Sequence, residues 1–229
     1  MKQIVLEEVD STNEYLKREY QNLDQQVSLY AHHQTHGKGR NGHVWQSQPN
    51  ENLTMSFLYK DFKKIEDAWK ITQLAACSVV GLLDRHHIKA MIKWPNDIYV
   101  GDQKICGILT ETILDPDLKG VIVGIGLNVN GQGPYLSMKQ VTGKSYRIQP
   151  LAIGLQTFMN IYYNLYQTNQ FDKVLEYANS ISYLKDKEVN YLDYGPVTFT
   201  KLNDDGTVTF VDQKGQYYHQ IINEISLHQ

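Results

Sequence analysis

Val123-Gly124-Ile125-Gly126-Leu127-Asn128-Val129-Asn130 is the stretch whose reading decides the fold. The two-residue period of a strand puts Val123, Ile125, Leu127 and Val129 on one face, a core face. Gly124, Gly126, Asn128 and Asn130 take the other. Two glycines leave room beside two amides, so a flat ligand can lie over them while Asn128 or Asn130 bonds to it. The plainer alternative is tight packing against another element, with the asparagines as turn residues.

Working outward, residues 52–59 alternate in the same way, with Leu53, Met55, Phe57 and Tyr59 on one face. Ile98 to Leu114 reads as a hairpin turning at Gly101-Asp102, where glycine tolerates the positive φ of a tight turn. Alternation along it predicts Lys104, Cys106, Ile108 and Thr110 on one face. A lysine heading an apolar face needs an anionic partner if that face is buried; otherwise it is a solvated hairpin end. From Glu66 to His86, Ala68, Ile71, Ala75, Val79 and Leu82 form a helical stripe. Upstream, 2–8 and 27–33 read as strands around a helix at 12–21. Downstream come helices at about 150–167 and 171–179. From about 186 the chain reads as short strands, turning at Asp193-Tyr194-Gly195-Pro196 and Asn203-Asp204-Asp205-Gly206. That shift predicts a docked β-barrel appendage of roughly 45 residues, marginal alone. The mixed element order indicates an α+β fold rather than a doubly wound sheet.

The 229 residues are 41% hydrophobic and 21% charged, a globular composition with net charge −3. No global basic excess points to DNA or an anionic membrane, so any anion site must be local. No run of about 18 apolar residues suggests a membrane span, and the start has no signal-peptide pattern. Cys77 and Cys106 sit in apolar patterns and read as buried thiols of a reducing cytoplasm, although one disulfide stays open.

Gln34-Thr35-His36-Gly37-Lys38-Gly39-Arg40-Asn41-Gly42-His43-Val44-Trp45 holds most of the chemistry. Glycines alternating with Lys38 and Arg40 let backbone N–H groups and two cations converge on an anion, a phosphate or acyl-phosphate cradle. The spacing is not that of a P-loop, and no helix pattern follows as a dinucleotide fingerprint requires. The alternative is a flexible surface loop with incidental charge, which Trp45 weighs against, as an anchor or a ligand contact. Asp10-Ser11-Thr12-Asn13-Glu14 carries the Ser-x-x-Glu of a capping box, and a helix N-terminus also offers free donors to a ligand. In Lys93-Trp94-Pro95-Asn96-Asp97, Pro95 turns Trp94 away from helix, and Asp97 is either a turn carboxylate or an acidic group beside a nucleotide's Mg²⁺. His32, His33 and His36 lack a fourth ligand at metal-site spacing.

Gln34, Gly37, Gly39, Arg40, Gly42 and Trp45 resemble the Gly-Arg-Gly-Arg-x-Gly-Arg-x-Trp signature of biotin protein ligases, with Lys38 and His43 in place of two arginines. Asp10 to Asn13, the run Lys93 to Asp97, Gly124 to Asn130 and Asn223-Glu224-Ile225-Ser226-Leu227 are similar to further family segments, in the family's order. The resemblance implies a class II synthetase-like catalytic domain over residues 1–183 and an SH3-like barrel over 184–229. It implies an enzyme that activates biotin with ATP and Mg²⁺ as biotinyl-5′-AMP. The acyl group then passes to a lysine of a biotin carboxyl carrier protein of acetyl-CoA or pyruvate carboxylase. On this resemblance Lys104 and Arg40 are catalytic. Ser11, Thr12, Asn13, Gln34, Lys38, Gly39, Arg40 and Lys104 bind biotin. Lys38, Arg40, Trp45, Asp97, Asn128 and Asn130 bind the nucleotide, and Asp97 places the Mg²⁺. Lys93 is a structural partner. Relatives pair edge strands into homodimers, so a homodimer is an open expectation. The competing readings are lipoate or octanoate transfer on a related fold, and a biotin-binding sensor without transfer activity. A DNA-binding repressor is not expected, since the chain starts at the first strand and its charge is acidic.

Overall fold

The computed structural model describes residues 1–62, 64–191 and 194–221. A seven-stranded sheet runs in the order β1-β2-β3-β7-β6-β5-β4. Its strands are β1 (Lys2–Val9), β2 (Gln26–Gln34), β3 (Asn52–Tyr59), β4 (Met91–Lys93), β5 (Asp97–Val100), β6 (Gln103–Asp115) and β7 (Asp117–Asn128). β1 and β2 are parallel, joined through α1 (Thr12–Glu19); the other neighbours are antiparallel. An α+β architecture follows, as the element order predicts.

The alternation of β7 places Val123, Ile125 and Leu127 in the main core, with Val129 just beyond the strand. Against that face packs α2 (Ala68–Asp84), with α4 (Ile148–Gln167) and α5 (Phe171–Ser180) around it. The stripe at Ile71, Ala75, Val79 and Leu82 is buried, and so are Leu74, Cys77, Val80 and Leu83, because α4 and α5 cover the rest of α2. Each such Leu, Ile or Val contributes about 1.5–3 kcal/mol on burial. Both cysteines are free and buried. On the opposite face α1 covers β2, β3 and β7 through Leu16 against Leu29, Leu58 and Ile122. It leaves the half toward β6 and β5 uncovered by helix, and that half carries the site.

Several expectations need correction. α1 ends at Glu19 and continues only as a 3₁₀ turn to Asn22. Segment 131–147 contains a short helix, α3 (Met138–Thr142), capped reciprocally by Ser137 and Gln140. β7 begins at Asp117, ahead of the stretch 123–130, and pairs with β6 from its first residue. Thr110 and Cys106 do not share a face with Lys104. A bulge at Ile105 pairs Tyr99 with Lys104 but Ile98 with Cys106, so Lys104 turns to the face of Asp97 and Gly107.

The C-terminal strands β8 (Glu188–Asn190), β9 (Pro196–Leu202), β10 (Val208–Asp212) and β11 (Tyr217–Gln220) form a four-stranded antiparallel sheet. Among the described residues it is open, not the closed barrel expected. The turn at 203–206 is present, with Gly206 at φ 84. Asp193 and the stretch 223–227 lie outside the described residues. This sheet shares a core with the large domain: Trp94, Tyr183, Val197, Phe199 and Phe210 cluster with Trp69 packed against them.

Candidate functional site

On the half of the sheet free of helix lies a cleft of about 640 Å³. Every residue singled out from sequence as a site residue lines it, except Asn130. The floor is glycine: Gly107 on β6 pairs directly with Gly126 on β7. A Cβ at Gly126 would collide with the Trp45 indole, and one at Gly107 would come within 3.2 Å of it. A Cβ at Gly124 would collide with the Asn13 amide. The flat group over Gly107 and Gly126 is thus the protein's own indole, and the Asn13 amide covers Gly124, the tight packing that was the alternative to a ligand on the glycines. The indole Nε1 is buried without a hydrogen-bond partner.

Trp45 reaches the floor because the loop is a miniature hairpin rather than an open polar loop. Lys38 and Val44 bridge, Gly39 N–H donates to His43 O at 2.7 Å, and Trp45 N–H donates to Gly37 O at 3.0 Å. Asn41 (φ 52) and Gly42 (φ 78) take the two left-handed positions of the turn, which an Asn-Gly pair does at little strain. Asn41 occupies a variable position of the motif, although Asn-Gly is itself a hairpin signal. This strap crosses the cleft with Arg40 on one side, its Nη1 donating to Asn96 Oδ1 at 2.9 Å. Asn96 is fixed in turn to β6: its Nδ2 donates to Ile108 O at 3.0 Å, and its own carbonyl accepts from Ile108 N–H at 2.9 Å.

The first-helix motif builds the other wall. Ser11 has the extended N-cap backbone but makes no side-chain cap, so the capping-box expectation fails. Gln34 replaces it: its Oε1 accepts from Thr12 N–H at 2.7 Å and from Thr12 Oγ1 at 2.9 Å. Glu14 is drawn instead to Lys38 and Lys17. Ser56, fully buried on β3, lies 2.6 Å from both Thr12 Oγ1 and Asn13 Oδ1, while Asn13 Nδ2 donates to Glu111 Oε2 at 2.8 Å. Ser56 and Glu111 were missed in sequence. The signal was Thr54 and Ser56, polar alternates on a strand whose other face is Leu, Met, Phe and Tyr.

Lys104 enters from the bulge, with Nζ 2.7 Å from Asp97 Oδ1. A half-exposed cation on the cleft face is thereby held by an anionic partner. Lys93 donates to Tyr99 OH at 3.2 Å and lies over that ring, as a structural partner should. Asn128 Oδ1 accepts from Asn52 Nδ2 at 3.0 Å. Asn130 clamps the next segment: its Nδ2 donates to Tyr146 O at 2.8 Å and its Oδ1 accepts from Tyr146 N–H at 2.8 Å. That segment brings Tyr135 to the cleft's edge, a residue no motif marked. His32 bonds Tyr30, His33 pairs with Glu8, and His36 contacts Thr35.

Comparison with known proteins gives a consistent picture. The family described as Biotin/lipoate A/B protein ligase matches residues 5–128. The bifunctional ligase/repressor BirA of Bacillus subtilis is 39% identical over 113 residues, 48% of this chain and 35% of that protein. The biotin–[acetyl-CoA-carboxylase] ligase of Mycobacterium tuberculosis is 34% identical over 108 residues, 45% of this chain and 39% of its own length. The matched stretch thus spans well under half the length of these curated relatives. Among solved structures, a biotin protein ligase from Aquifex aeolicus in complex with biotin and ATP superposes with a TM-score of 0.85 at 27% identity, covering 100% of this chain and 99% of that one.

Proposed function

The chain belongs to the biotin/lipoate A/B protein ligase family, and on that premise we propose that it is an ATP-dependent biotin protein ligase. The observation that supports this best is the pairing of two cations across a glycine-floored cleft. Lys104 is oriented by Asp97 at 2.7 Å and Arg40 by Asn96 at 2.9 Å. Such preorganised cations suit a reaction that brings a carboxylate against a phosphate.

In the first half-reaction a biotin carboxylate oxygen attacks the α-phosphorus of ATP. The bond to the bridging oxygen breaks and pyrophosphate leaves, giving biotinyl-5′-AMP. Lys104 and Arg40 offset the charge that gathers on the α-phosphate, and Lys38 adds to it. Ser11, Thr12, Asn13, Gln34 and Gly39 line the end that takes the biotin; Trp45, Asn128 and Asp97 face the nucleotide. In the second half-reaction a neutral carrier lysine attacks the acyl carbon, AMP departs, and the new amide nitrogen loses a proton. The strap limits water at the mixed anhydride, which hydrolyses when wet. No covalent enzyme intermediate is required.

Magnesium would arrive with ATP, held mainly by phosphates, a mode that needs only one or two protein carboxylates. Asp97 fits as that carboxylate through its second oxygen, since Oδ1 faces Lys104. Asn130 we reassign from nucleotide contact to clamp of the 131–146 segment. We take residues 1–183 as the catalytic unit and 184–229 as an SH3-like appendage. The acceptor is a biotin carboxyl carrier domain, and the setting is the cytoplasm; no helix among the described residues is long and apolar enough to cross a membrane.

The test is ATP–pyrophosphate exchange with biotin and with lipoate in parallel. Exchange that depends on biotin and not on lipoate is expected; exchange driven by lipoate alone would replace this reading with lipoate ligation.

A further inference from the structure

We propose that Glu14 is a positioning residue that latches the strap over the cleft through Lys38. Four charges alternate in a row from the sheet to the strap. Glu111, rooted in β6, lies 2.7 Å from Lys17, Lys17 lies 3.3 Å from Glu14, and Glu14 lies 2.8 Å from Lys38. Glu14 is free for this because the cap of α1 is supplied by Gln34, not by Glu14. The Glu111 end is fixed a second time by Asn13 Nδ2 at 2.8 Å. On the opposite flank Arg40 is tied to Asn96. The strap is therefore pinned on both sides of the cleft, by an ion pair to α1 and by a hydrogen bond to the turn before β5. The Lys38 ammonium beside Glu14 holds its carboxyl below the usual carboxylate range, so the pair stays charged at neutral pH. Glu14 lies outside the residues lining the cleft; it acts through Lys38.

The consequence, which rests on the biotin ligase reading, is that the latch slows escape of the acyl-adenylate. Two readouts separate the latch from that reading. Amide hydrogen exchange at Gly39 and Trp45, whose N–H groups tie the two arms of the strap together, tests the latch without substrate. In Glu14→Gln these amides exchange about two- to fivefold faster than in the wild type, the range of a partly exposed ion pair. The gap narrows in 1 M salt, where exposed charges are screened. Lys38→Met speeds exchange by the same factor, and Glu14→Gln adds nothing further in its presence. Equal exchange in wild type and Glu14→Gln, or effects of the two changes that simply add, overturns the latch. The second readout is release of biotinyl-5′-AMP formed in situ, expected to quicken by the same factor in Glu14→Gln. A loosened strap with unchanged release overturns the retention role. A wild type that forms no adenylate defeats the functional reading, while the exchange data still decide the latch.

Discussion

Lys104 owes its place to one extra residue. Without the bulge at Ile105, strand alternation would point it into the core with Cys106 and Ile108; with it, Nζ meets Asp97 on the cleft face. Lys104→Ala is expected to lower single-turnover adenylate formation by on the order of 10²- to 10³-fold while leaving the circular dichroism spectrum unchanged, the scale seen when one preorganised charge-stabilising donor is lost. Near-normal adenylation would remove it from the mechanism. Arg40 makes a charged hydrogen bond to Asn96, so Arg40→Gly loses both a cation and a strap anchor. It should release the adenylate about tenfold faster, the equivalent of one charge-assisted bond, and label bystander proteins; tight retention by the variant would contradict this. The residue types at these positions were legible in sequence, Arg40 because charged and glycine residues clustered in one loop and Lys104 because a cation headed an apolar strand pattern. Their pairings were not. Asn96 and Asp97 are motif residues that meet Arg40 and Lys104 only in the folded chain, Ser56 and Glu111 reach Thr12 and Asn13 from strands distant in sequence, and a bulge leaves no compositional mark.

At the scale of the element, period-two and period-3.6 patterns located nearly every strand and helix, since each buries one face against the core. They failed where local geometry overrides periodicity: the capping box that Gln34 supplants, the short α3, and the strap. The strap's Asn41-Gly42 turn brings Trp45 back onto Gly126, and a side chain at that glycine has nowhere to go. Gly126→Val should therefore expel the indole at a cost of about 1–3 kcal/mol, the usual penalty of overpacking. A red-shifted tryptophan emission with stronger acrylamide quenching would register it. Unchanged emission would mean that Trp45 does not rest on the floor.

For the molecule as a whole, the buried tyrosines among the sixteen of the sequence serve packing, and they set its alkaline limit. Burial pushes Tyr166 up to about 12; burial and the hydrogen bond to Asp102 push Tyr183 up to about 12. Burial also raises Tyr59 and Tyr163, which stack 3.9 Å apart between β3 and α4. An unfolded phenol ionises near pH 10. Above that value the unfolded chain sheds protons that the folded one keeps, so stability falls as pH rises from about 10 toward 12. A chemical-denaturation midpoint that drops over this interval, together with delayed phenolate absorbance in the folded protein, is expected; simple ionisation near 10 with no loss of stability would contradict it. Tyr183 also belongs to the core shared by the two sheets, so loss of the small sheet's packing should accompany that titration. The open form that the sheet takes among the described residues was not legible in sequence, because closure depends on how strand ends meet and not on their alternation.

The proposed ligase joins a carboxylic acid to ATP in this cleft and delivers it to a carrier lysine. The decisive measurement is intact-mass analysis of a biotin carboxyl carrier domain incubated with the protein, biotin and MgATP. A single biotinyl addition that disappears without ATP is expected, and a carrier of unaltered mass under the complete conditions would rule the ligase out.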